Sequence, residues 1–294
     1  MIVLGADVGG TSARVVLYDG EAERGRAEGP GGPMRLGEGE RLAERLAALA
    51  RPLLQRERSA RADTFVVGAS GAGRAEEQAE LQAALEKQRL AWRVRITSDA
   101  ELARAAAFAG GAGVLLIAGT GSVALARTAA GSERWVGGRG WRMGDQGSAH
   151  WIGARALEAV GAMHDGLGPT TRLAEALGVA TKVNGIAGLI RWSVKASPAE
   201  VAALAPAVLS CAEGGDPVAV ELRDGAVHWL VRLAVAAGAG PLPVALSGGL
   251  LAPERGLRER VAVALESRHA ATVQRRAVDP CRGALILAAR GAGA

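Results

Sequence analysis

Three glycine-rich segments of the chain have the composition of phosphate-binding turns. They are residues 7–11 (DVGGT), residues 119–122 (GTGS) and residues 247–249 (SGG). Glycine lets backbone N–H groups approach an anion closely, and threonine and serine hydroxyl groups add further donors. One Gly-Thr turn alone is typical of an ordinary hairpin, whereas two copies and a third glycine turn favour nucleotide binding. The chain has no Gly-Lys-Ser/Thr segment, which excludes a Walker-type phosphate loop.

Asp7 is the candidate metal ligand of the first segment. It ends an apolar run, and a hydrated Mg²⁺ ion prefers one or two carboxylates together with water and substrate phosphates. The four histidines show no metal-ligand spacing, and Cys211 and Cys281 lie far apart in the chain. The sequence therefore predicts magnesium at Asp7, and neither a cysteine-based zinc site nor a disulfide framework.

Asp99 is the candidate general base. It follows an apolar strand-like run and opens an alanine-rich segment, and active-site residues of α/β proteins commonly lie at the carboxyl end of a strand. A helix N-terminus there is expected to lower the pKa of the carboxyl group. The same residues also fit a capping box, because Ser98 precedes Glu101 by three positions. This segment alone leaves the catalytic and the structural interpretations equally open.

A second glycine-dense stretch covers residues 137–148 (GGRGWRMGDQGS). Ordering so flexible a loop costs conformational entropy. One explanation for the many glycines is that the loop backbone approaches a ligand closely. The alternative is a turn that caps the following helix through Asp145 or Ser148.

The segments between these motifs predict the elements that position them. Apolar, β-branched runs flank both hairpin turns, which indicates two strand–turn–strand units and a duplicated fold. Strand-like and helix-like periodicity alternate between the two hairpins, which predicts an α/β sheet with mixed pairing, and the stretch 151–238 is mainly helical. The predicted strands are residues 2–8, 14–19, 64–69, 93–97, 113–118, 123–127 and 243–246, and the predicted helices include residues 39–58, 76–89, 100–108 and 283–290.

Composition narrows the possible partners. The formal net charge is +5, but all except three of the 35 lysine and arginine residues are arginines scattered along the chain, which predicts no nucleic-acid partner. No basic leader precedes the first apolar run, which predicts a cytoplasmic protein without a secretory signal. The uncharged stretch 105–126 is long enough for a membrane span. Its five glycines instead indicate a helix end, a loop and a buried hairpin, so no membrane partner is predicted.

In this order the three glycine segments resemble those of the N-acetylglucosamine kinases and BadF/BadG/BcrA/BcrD-type ATPases, a family related to sugar kinases and actin. The resemblance extends over nearly the whole chain, since residues 204–220 and 280–289 are similar to the family's helical segments. It implies an α/β, two-lobed actin-like ATPase (ribonuclease H-like) fold, with mixed sheets flanked by helices and a cleft between the lobes. The expected lobes are residues 1–111, completed by a C-terminal helix at 281–294, and residues 112–280 with a helical insertion.

The resemblance also implies a function and a set of site residues. The function is transfer of the ATP γ-phosphoryl group to a sugar hydroxyl, the 6-hydroxyl of N-acetylglucosamine or of a related amino sugar or hexose, by an Mg²⁺-dependent enzyme that forms a homodimer. Asp99 would be the base and Asp7 the metal ligand. The implied ATP-binding residues are Gly9, Gly10, Thr11, Gly119, Thr120, Gly121, Ser122, Gly248 and Gly249, and the implied sugar-binding residues are Ser70, Gly71, Asp99, Gly138, Arg139, Gly140 and Asp145.

Three positions depart from the family pattern near the implied sugar site. Gly32 stands where the family offers an asparagine, Arg139 where the animal amino-sugar kinases have a tryptophan, and Gln146 where a glutamate is usual. Each departure changes hydrogen-bond donors or charge near the acceptor. The identity of the sugar is therefore less well defined than the kinase reaction, and Arg139 would suit an acceptor that carries a carboxylate.

Two other functions are compatible with such a fold. An activator-type ATPase of the BadF branch would need cysteine thiolates at a subunit interface to hold an iron–sulfur cluster. Cys211 and Cys281 do not match the cysteine sites of the activators. A non-catalytic sugar sensor is the other alternative, and the presence of Asp7, Thr11 and Asp99 together disfavours it.

Overall fold

The computed structural model describes residues 1–10, 12–252 and 256–290. Contacts divide the chain into two units, Met1–Ala112 together with the segment that begins at Val278, and Gly113–Ala277. Each unit has its own five-stranded sheet in which parallel and antiparallel pairs are mixed. Thr11, which the sequence predicts to bind ATP, lies outside the described residues.

The first unit has the strand order β3-β2-β1-β4-β5. Strands β1, β2 and β3 are antiparallel neighbours, whereas β4 and β5 continue the sheet parallel to β1. Parallel neighbours need a crossover, and α2 connects β4 to β5. The elements are β1 (Ile2–Val8), β2 (Ser12–Asp19), β3 (Ala22–Pro30), α1 (Gly39–Arg56), β4 (Ala62–Ala69), α2 (Ala75–Lys87), β5 (Ala91–Ser98), α3 (Asp99–Phe108) and α11 (Arg282–Arg290).

Both faces of this sheet are covered by helices. Alternate residues of β1 point to opposite faces, so Leu4 and Ala6 pack with α1 and α2, whereas Val3 packs with α3 and α11. Helices α3 and α11 approach the strands closely because glycines leave room for them. A Cβ atom on Gly5 would lie 2.6 Å from the Ala284 Cβ, and one on Gly68 would lie 2.6 Å from the Leu102 Cβ. The close packing fixes the start of α3, and with it Asp99.

The second unit has the strand order β10-β9-β6-β7-β8. Strand β6 pairs antiparallel with β7 and parallel with β9, and one continuous apolar core joins the sheet to the helices. The elements are β6 (Gly113–Ala118), β7 (Ser122–Arg127), β8 (Glu133–Gly137), α4 (Ala149–His164), α5 (Leu173–Thr181), α6 (Gly185–Lys195), α7 (Pro198–Ala202), α8 (Ala205–Glu213), α9 (Pro217–Ala237), β9 (Val244–Ser247), a 3₁₀ turn (Gly249–Leu251), α10 (Gly256–His269) and β10 (Val273–Gln274).

These elements confirm the predicted α/β class, the two hairpins and the mixed sheets. The uncharged stretch 105–126 is, as predicted, the end of α3, a loop and the β6–β7 hairpin. Strands β3 and β8 and helix α10 were not predicted. Within the described ranges no single helix is long and apolar enough to cross a membrane. The pair α5 and α6, bent by 56°, reaches that length and composition only jointly.

Candidate active site

The carboxyl edge of the first sheet holds both Asp7, at the end of β1, and Asp99, directly after β5, with the end of β4 between them. Asp7 pairs in register with Gly68 of β4, and Ala69 of β4 pairs with Ser98 of β5, the residue before Asp99. Three parallel strands therefore end side by side, which is where α/β folds place their ligands. Ser70 and Gly71 continue β4 at the same edge.

Asp7 is partly buried, and its carboxyl group is shielded from water. Burial is the largest cause that raises its pKa, to about 6, and the negative charge of Asp99 is the next. Asp279 raises the pKa further, while Arg14, which faces Asp7 in register on β2, lowers it. Because one cationic side chain opposes three carboxylates, a divalent cation at Asp7 would relieve this repulsion.

Asp99 is the first residue of α3 but does not cap it. The Ser98 hydroxyl oxygen accepts the hydrogen bond from the Glu101 N–H at 3.1 Å, so Ser98 is the N-cap. Glu101 does not complete a capping box, because its carboxylate pairs with the buried Arg104 at 2.7 Å. The Asp99 carboxylate accepts a hydrogen bond from the Ala100 N–H at 2.9 Å. Ser98 is therefore the N-cap, and Asp99 adds a hydrogen bond to an N–H group of the first turn.

The expectation of a lowered pKa at Asp99 was wrong. Burial raises its pKa, and the N–H groups of Ala100 and of Asp99 itself lower it by less. The desolvation of the carboxylate at this edge thus outweighs the stabilisation by the start of the helix. A carboxyl group with a raised pKa is a stronger base when it is ionised.

The first glycine turn joins β1 to β2 and is held by backbone hydrogen bonds. The Gly9 N–H donates to the Ser12 carbonyl at 2.9 Å, and the Gly9 carbonyl accepts from the Gly32 N–H at 3.0 Å. Gly10 is exposed, and a Cβ atom on it would meet nothing within 4 Å. The turn therefore has open space on the Gly10 side, as an anion-binding turn requires.

Ser70 and Gly71 are tied to the loop after β3. The Ser70 carbonyl accepts from the Met34 N–H at 2.7 Å, and the Ser70 N–H donates to the Val8 carbonyl at 2.8 Å. Gly71 has a φ of 84°, and a side chain on it would collide with the Met34 backbone. These contacts join the first turn, Asp7 and the Ser70–Gly71 segment into one local structure.

The second glycine turn, in the second unit, is held by a side chain. The Asp145 carboxylate accepts a hydrogen bond from the Ser122 N–H at 3.3 Å, and a Cβ atom on Gly121 would lie 2.8 Å from an Asp145 oxygen. The Ser122 hydroxyl donates to the Gln146 carbonyl at 2.8 Å. Asp145, predicted from sequence to contact sugar, thus braces the glycine turn, while Thr120 is exposed at its tip.

Asp145 is 9% exposed and has a φ of 60°. Burial raises its pKa, whereas the Ser122 N–H and the neighbouring His150 lower it. Helix α4 is capped by Ser148, whose hydroxyl oxygen accepts from the Trp151 N–H at 3.1 Å, so the alternative cap at Asp145 is not used. His150 also stacks with Trp141, with ring centroids 5.4 Å apart.

Glycines at positive φ shape the loop between β8 and Asp145. Gly137, Gly138 and Gly140 have φ values of 80°, 67° and 81°. The Gly138 N–H donates to the Ser122 carbonyl at 2.9 Å, so the loop starts against the second turn. Arg139 lies between these glycines and is exposed.

The third glycine segment lies beside the second, because β9 pairs in parallel with β6. Gly248 has a φ of 91°, and a Cβ atom on it would lie 3.0 Å from the Ala118 N. The buried Arg258 anchors both ends of this segment, since its Nη1 donates to the Leu246 carbonyl at 2.9 Å and to the Leu251 carbonyl at 3.0 Å.

Sequence reasoning did not identify Asp279, His150 or Arg258 as parts of these sites. Asp279 acts on Asp7 through its charge and is itself paired with Arg26 at 2.8 Å. It lies far from Asp7 along the chain, and no motif connects the two. In the part of the chain that the structure describes, no group of three or more His, Cys, Asp or Glu residues has the arrangement of a metal site.

Comparison with known proteins gives a match along almost the entire chain. The model of the BadF/BadG/BcrA/BcrD ATPase family matches residues 4–288. The chain is also similar to a crystal structure of a proposed N-acetylglucosamine kinase from Chromobacterium violaceum. The identity is 28%, the TM-score is 0.81, and 97% of this chain and 98% of that chain are covered. This likeness confirms the predicted actin-like ATPase fold.

Two curated relatives match over shorter stretches. A glucosamine kinase from Vibrio cholerae is 35% identical over 130 residues, which are 44% of this chain and 43% of the relative. An N-acetylmuramic acid/N-acetylglucosamine kinase from Clostridium acetobutylicum is 28% identical over 166 residues, which are 56% of this chain and 54% of the relative. The chain thus spans about half the length of the curated relatives that it matches.

Proposed function

Because the chain belongs to the BadF/BadG/BcrA/BcrD ATPase family, we propose that it is an ATP-dependent kinase that phosphorylates a sugar hydroxyl. The observation that carries the proposal is the position of Asp7 and Asp99 at one edge of the sheet, where the charge of Asp99 acts on Asp7 beside an open glycine turn. Phosphoryl transfer needs a positioned base and charge stabilisation around the phosphates, and these residues are of the types that supply them.

The proposed acceptor is the 6-hydroxyl of N-acetylglucosamine or of a related amino sugar. The names of the relatives support this choice, since they specify glucosamine, N-acetylglucosamine and N-acetylmuramic acid for those proteins. The sugar-contact residues proposed here are Ser70, Gly71, Asp99, Gly138, Arg139, Gly140 and Asp145.

Asp99 is the proposed general base. Its ionised carboxylate would accept the proton of the acceptor hydroxyl as the oxygen attacks the γ-phosphorus. The raised pKa of Asp99 suits this role, because a carboxylate with a raised pKa is a stronger base. General-base catalysis contributes about 10²–10⁴ in rate.

Asp7 fits a Mg²⁺ ion. Its buried carboxylate shares the field of Asp99 and Asp279, so a cation there neutralises charge that is otherwise unfavourable. When bound, such an ion supplies charge neutralisation at the nucleotide phosphates. Backbone N–H groups of both glycine turns would hold phosphate oxygens, with Thr11 and Thr120 as hydroxyl donors, and Gly248 and Gly249 would face the nucleoside.

An ADP-release assay across N-acetylglucosamine, glucosamine, glucose, mannose and N-acetylmuramic acid tests the proposal. The expected result is sugar-dependent ADP release with the highest kcat/KM for an amino sugar. If ADP is released slowly and at the same rate with and without each sugar, the protein is an ATPase, and the kinase assignment is contradicted.

The cysteines disfavour the activator-type alternative. Cys281 is fully buried, and burial raises the pKa of its thiol to about 12, so it is poorly suited to ligate a metal as a thiolate. Cys211 is also held with a raised pKa, again mainly by burial.

We also propose that the protein is cytoplasmic and forms a homodimer. The proposed lobes are residues 1–111 with 281–294, and residues 112–280. Light scattering after size-exclusion chromatography measures the mass of the assembly. A monomer across the assay's concentration range would remove the homodimer from the proposal.

A further inference from the structure

A cluster of arginines surrounds a pocket in the first unit whose lining contains none of the site residues proposed above. The pocket has a volume of about 320 Å³ and lies between the loop after β3 and the first half of α1. We call it the arginine pocket. It is lined by Arg35, Arg41, Arg45, Glu38, Leu42 and Gly32, among others.

The charge of the arginine pocket is strongly positive. Three guanidinium groups face one carboxylate, that of Glu38, which lies 3.7 Å from Arg41. Both partners of this pair are largely exposed, so it neutralises little of the field. Among the described lining residues there is no second acidic group. A pocket with this balance favours an anion.

Arg45 gives the pocket a fixed donor. Its Nη1 donates to the Gly31 carbonyl at 2.8 Å, which holds the guanidinium group in place and leaves other N–H groups available. The side chain is half-buried, and Leu42 beside it is 4% exposed. A planar guanidinium fork in a fixed position matches the two oxygens of a carboxylate.

Gly32 keeps this donor accessible. Its φ is 148°, and a Cβ atom on it would lie 3.3 Å from the Arg45 Nη1. A longer side chain at this position would therefore crowd the guanidinium group. The absence of a side chain at Gly32 leaves that space for a ligand.

The loop that lines the arginine pocket is also the loop that braces the proposed active site. The Gly32 N–H donates to the Gly9 carbonyl at 3.0 Å, and the Met34 N–H donates to the Ser70 carbonyl at 2.7 Å. A Cβ atom on Gly31 would lie 2.6 Å from the Gly9 oxygen, so the loop packs directly on the first glycine turn. The loop that lines the pocket thus directly contacts Gly9 and Ser70, two of the residues proposed to hold phosphate and acceptor.

From these contacts we infer that the arginine pocket binds the carboxylate of an acidic sugar acceptor. That the ligand is a phosphate acceptor rests on the proposed function. That the pocket prefers an anion rests on the charge and geometry of the pocket itself. Arg45 provides the fixed fork, and Arg35 and Arg41 add positive charge at the rim.

The test compares two sugars that differ by one acidic substituent, N-acetylglucosamine and N-acetylmuramic acid. The variants are Arg41→Gln, Arg45→Gln and, as a matched control on the same helix outside the pocket, Arg56→Gln. Binding of each sugar is measured by calorimetry without ATP, and kcat/KM is measured by ADP release. A charged hydrogen bond contributes about 1.5–3 kcal/mol, which converts to about 10- to 150-fold in affinity.

The expected result is a loss of at least about 10-fold in affinity for N-acetylmuramic acid in Arg45→Gln, and a smaller loss in Arg41→Gln. Affinity for N-acetylglucosamine should change less than about twofold in Arg41→Gln, and Arg56→Gln should bind both sugars as the native protein does. Arg41→Lys should retain most of the binding, because it keeps the charge. Since Arg41 is exposed, its variants are expected to fold even if Arg45→Gln does not.

Each other outcome has a distinct meaning. Equal losses for both sugars, or no loss, would overturn the arginine pocket while the kinase proposal stands on its turnover. Inorganic phosphate binding as tightly as N-acetylmuramic acid would overturn the assignment to an acceptor. Arginine-dependent binding without turnover of any sugar would support the pocket and contradict the kinase proposal.

Discussion

The two glycine turns have similar sequences but are stabilised in different ways. The β1–β2 turn is held by backbone hydrogen bonds to the loop at 31–34, and a carboxylate, Asp7, precedes it on its own strand. The β6–β7 turn is braced by Asp145 from a later loop, and α4 begins against it through the Ala149 N–H, which donates to the Gly119 carbonyl at 2.9 Å. Local sequence predicts both turns but not their supports.

The charges around the turns differ as well. At the edge of the first turn, burial raises the pKa of Asp7 to about 6, and the negative charges of Asp99 and Asp279 add to this effect. Among the described residues, His150 is the one titratable side chain whose charge affects the pKa of Asp145, and it lowers that pKa. In the proposed function the first edge supplies the base and the cation ligand, whereas the second turn supplies mainly backbone donors to phosphate.

Loss of the proposed base should have the largest effect. Asp99→Asn is expected to lower kcat by about 10²–10⁴, because the proton acceptor is removed while the hydrogen bond from the Ala100 N–H is kept. Nucleotide affinity, measured by calorimetry, should stay within a factor of about two. Asp19→Asn, at an exposed site in the same unit, is the control. A turnover rate near that of the native enzyme would remove Asp99 from the mechanism.

Removal of the charge of Asp7 should stabilise the folded protein. A pKa raised from 3.8 to about 6 means that the ionised form is destabilised by about 3 kcal/mol at pH 7.5. Because the folded state binds the proton more tightly, this penalty is absent below about pH 4 and grows as pH rises towards 6. Asp7→Asn should therefore raise the free energy of unfolding by up to about 3 kcal/mol at pH 7.5, and by about half as much at pH 5.

Urea denaturation without Mg²⁺ at the two pH values measures this difference. The same Asp19→Asn control should change stability by less than about 1 kcal/mol, because its ion pairs are exposed. If Asp7→Asn changes the free energy of unfolding by the same amount at both pH values, the pKa of Asp7 is not raised by burial. Asp7→Asn should also weaken Mg-ATP binding.

The support of the first turn can be tested with two glycine variants. Gly31→Ala should lower the free energy of unfolding by about 1–3 kcal/mol, since its methyl group would meet the backbone of the turn. Gly10→Ala faces open space and should change stability by less than about 0.5 kcal/mol, but it should raise KM for ATP if the turn binds phosphate. Similar stability losses for both variants would contradict the described packing.

Removal of the side chain that braces the second turn should give an effect similar in size to that of Gly31→Ala. Asp145→Ala leaves the Ser122 N–H without its acceptor, and loss of such a buried bond is worth about 1–3 kcal/mol. Asp145→Asn keeps an acceptor oxygen and should retain most of the stability. If Asp145→Asn is as unstable as Asp145→Ala, the charge rather than the hydrogen bond holds the turn.

Much of the fold could be predicted because its central strands have strong local signals. Strands β1, β4 and β6 are buried apolar runs bounded by glycine or polar residues. Strand β3 was missed because Ala22–Pro30 is polar, lies at the sheet edge and is mostly exposed. Its strand conformation comes from pairing with β2, which is a tertiary effect that local propensity does not contain.

The candidate site could be predicted only as separate pieces. Asp7 and Asp99 each have a recognisable neighbourhood, but the register of β1, β4 and β5 that brings them to one edge is a property of the sheet. The expected low pKa at Asp99 failed because burial cannot be judged from the helix start alone. Asp279 and Arg258 act across long sequence separations and carry no motif.

The packing of α11 has a consequence for the order of events during protein synthesis. Cys281, Ala284 and Leu287 cover Val3, Val16 and Tyr18 of the first sheet. A ribosome must therefore translate the whole second unit before the sheet that carries Asp7 can close its core. Until then the nascent chain exposes that apolar face. Chaperones that bind apolar surfaces therefore have access to the first unit for the time that synthesis of the second unit takes.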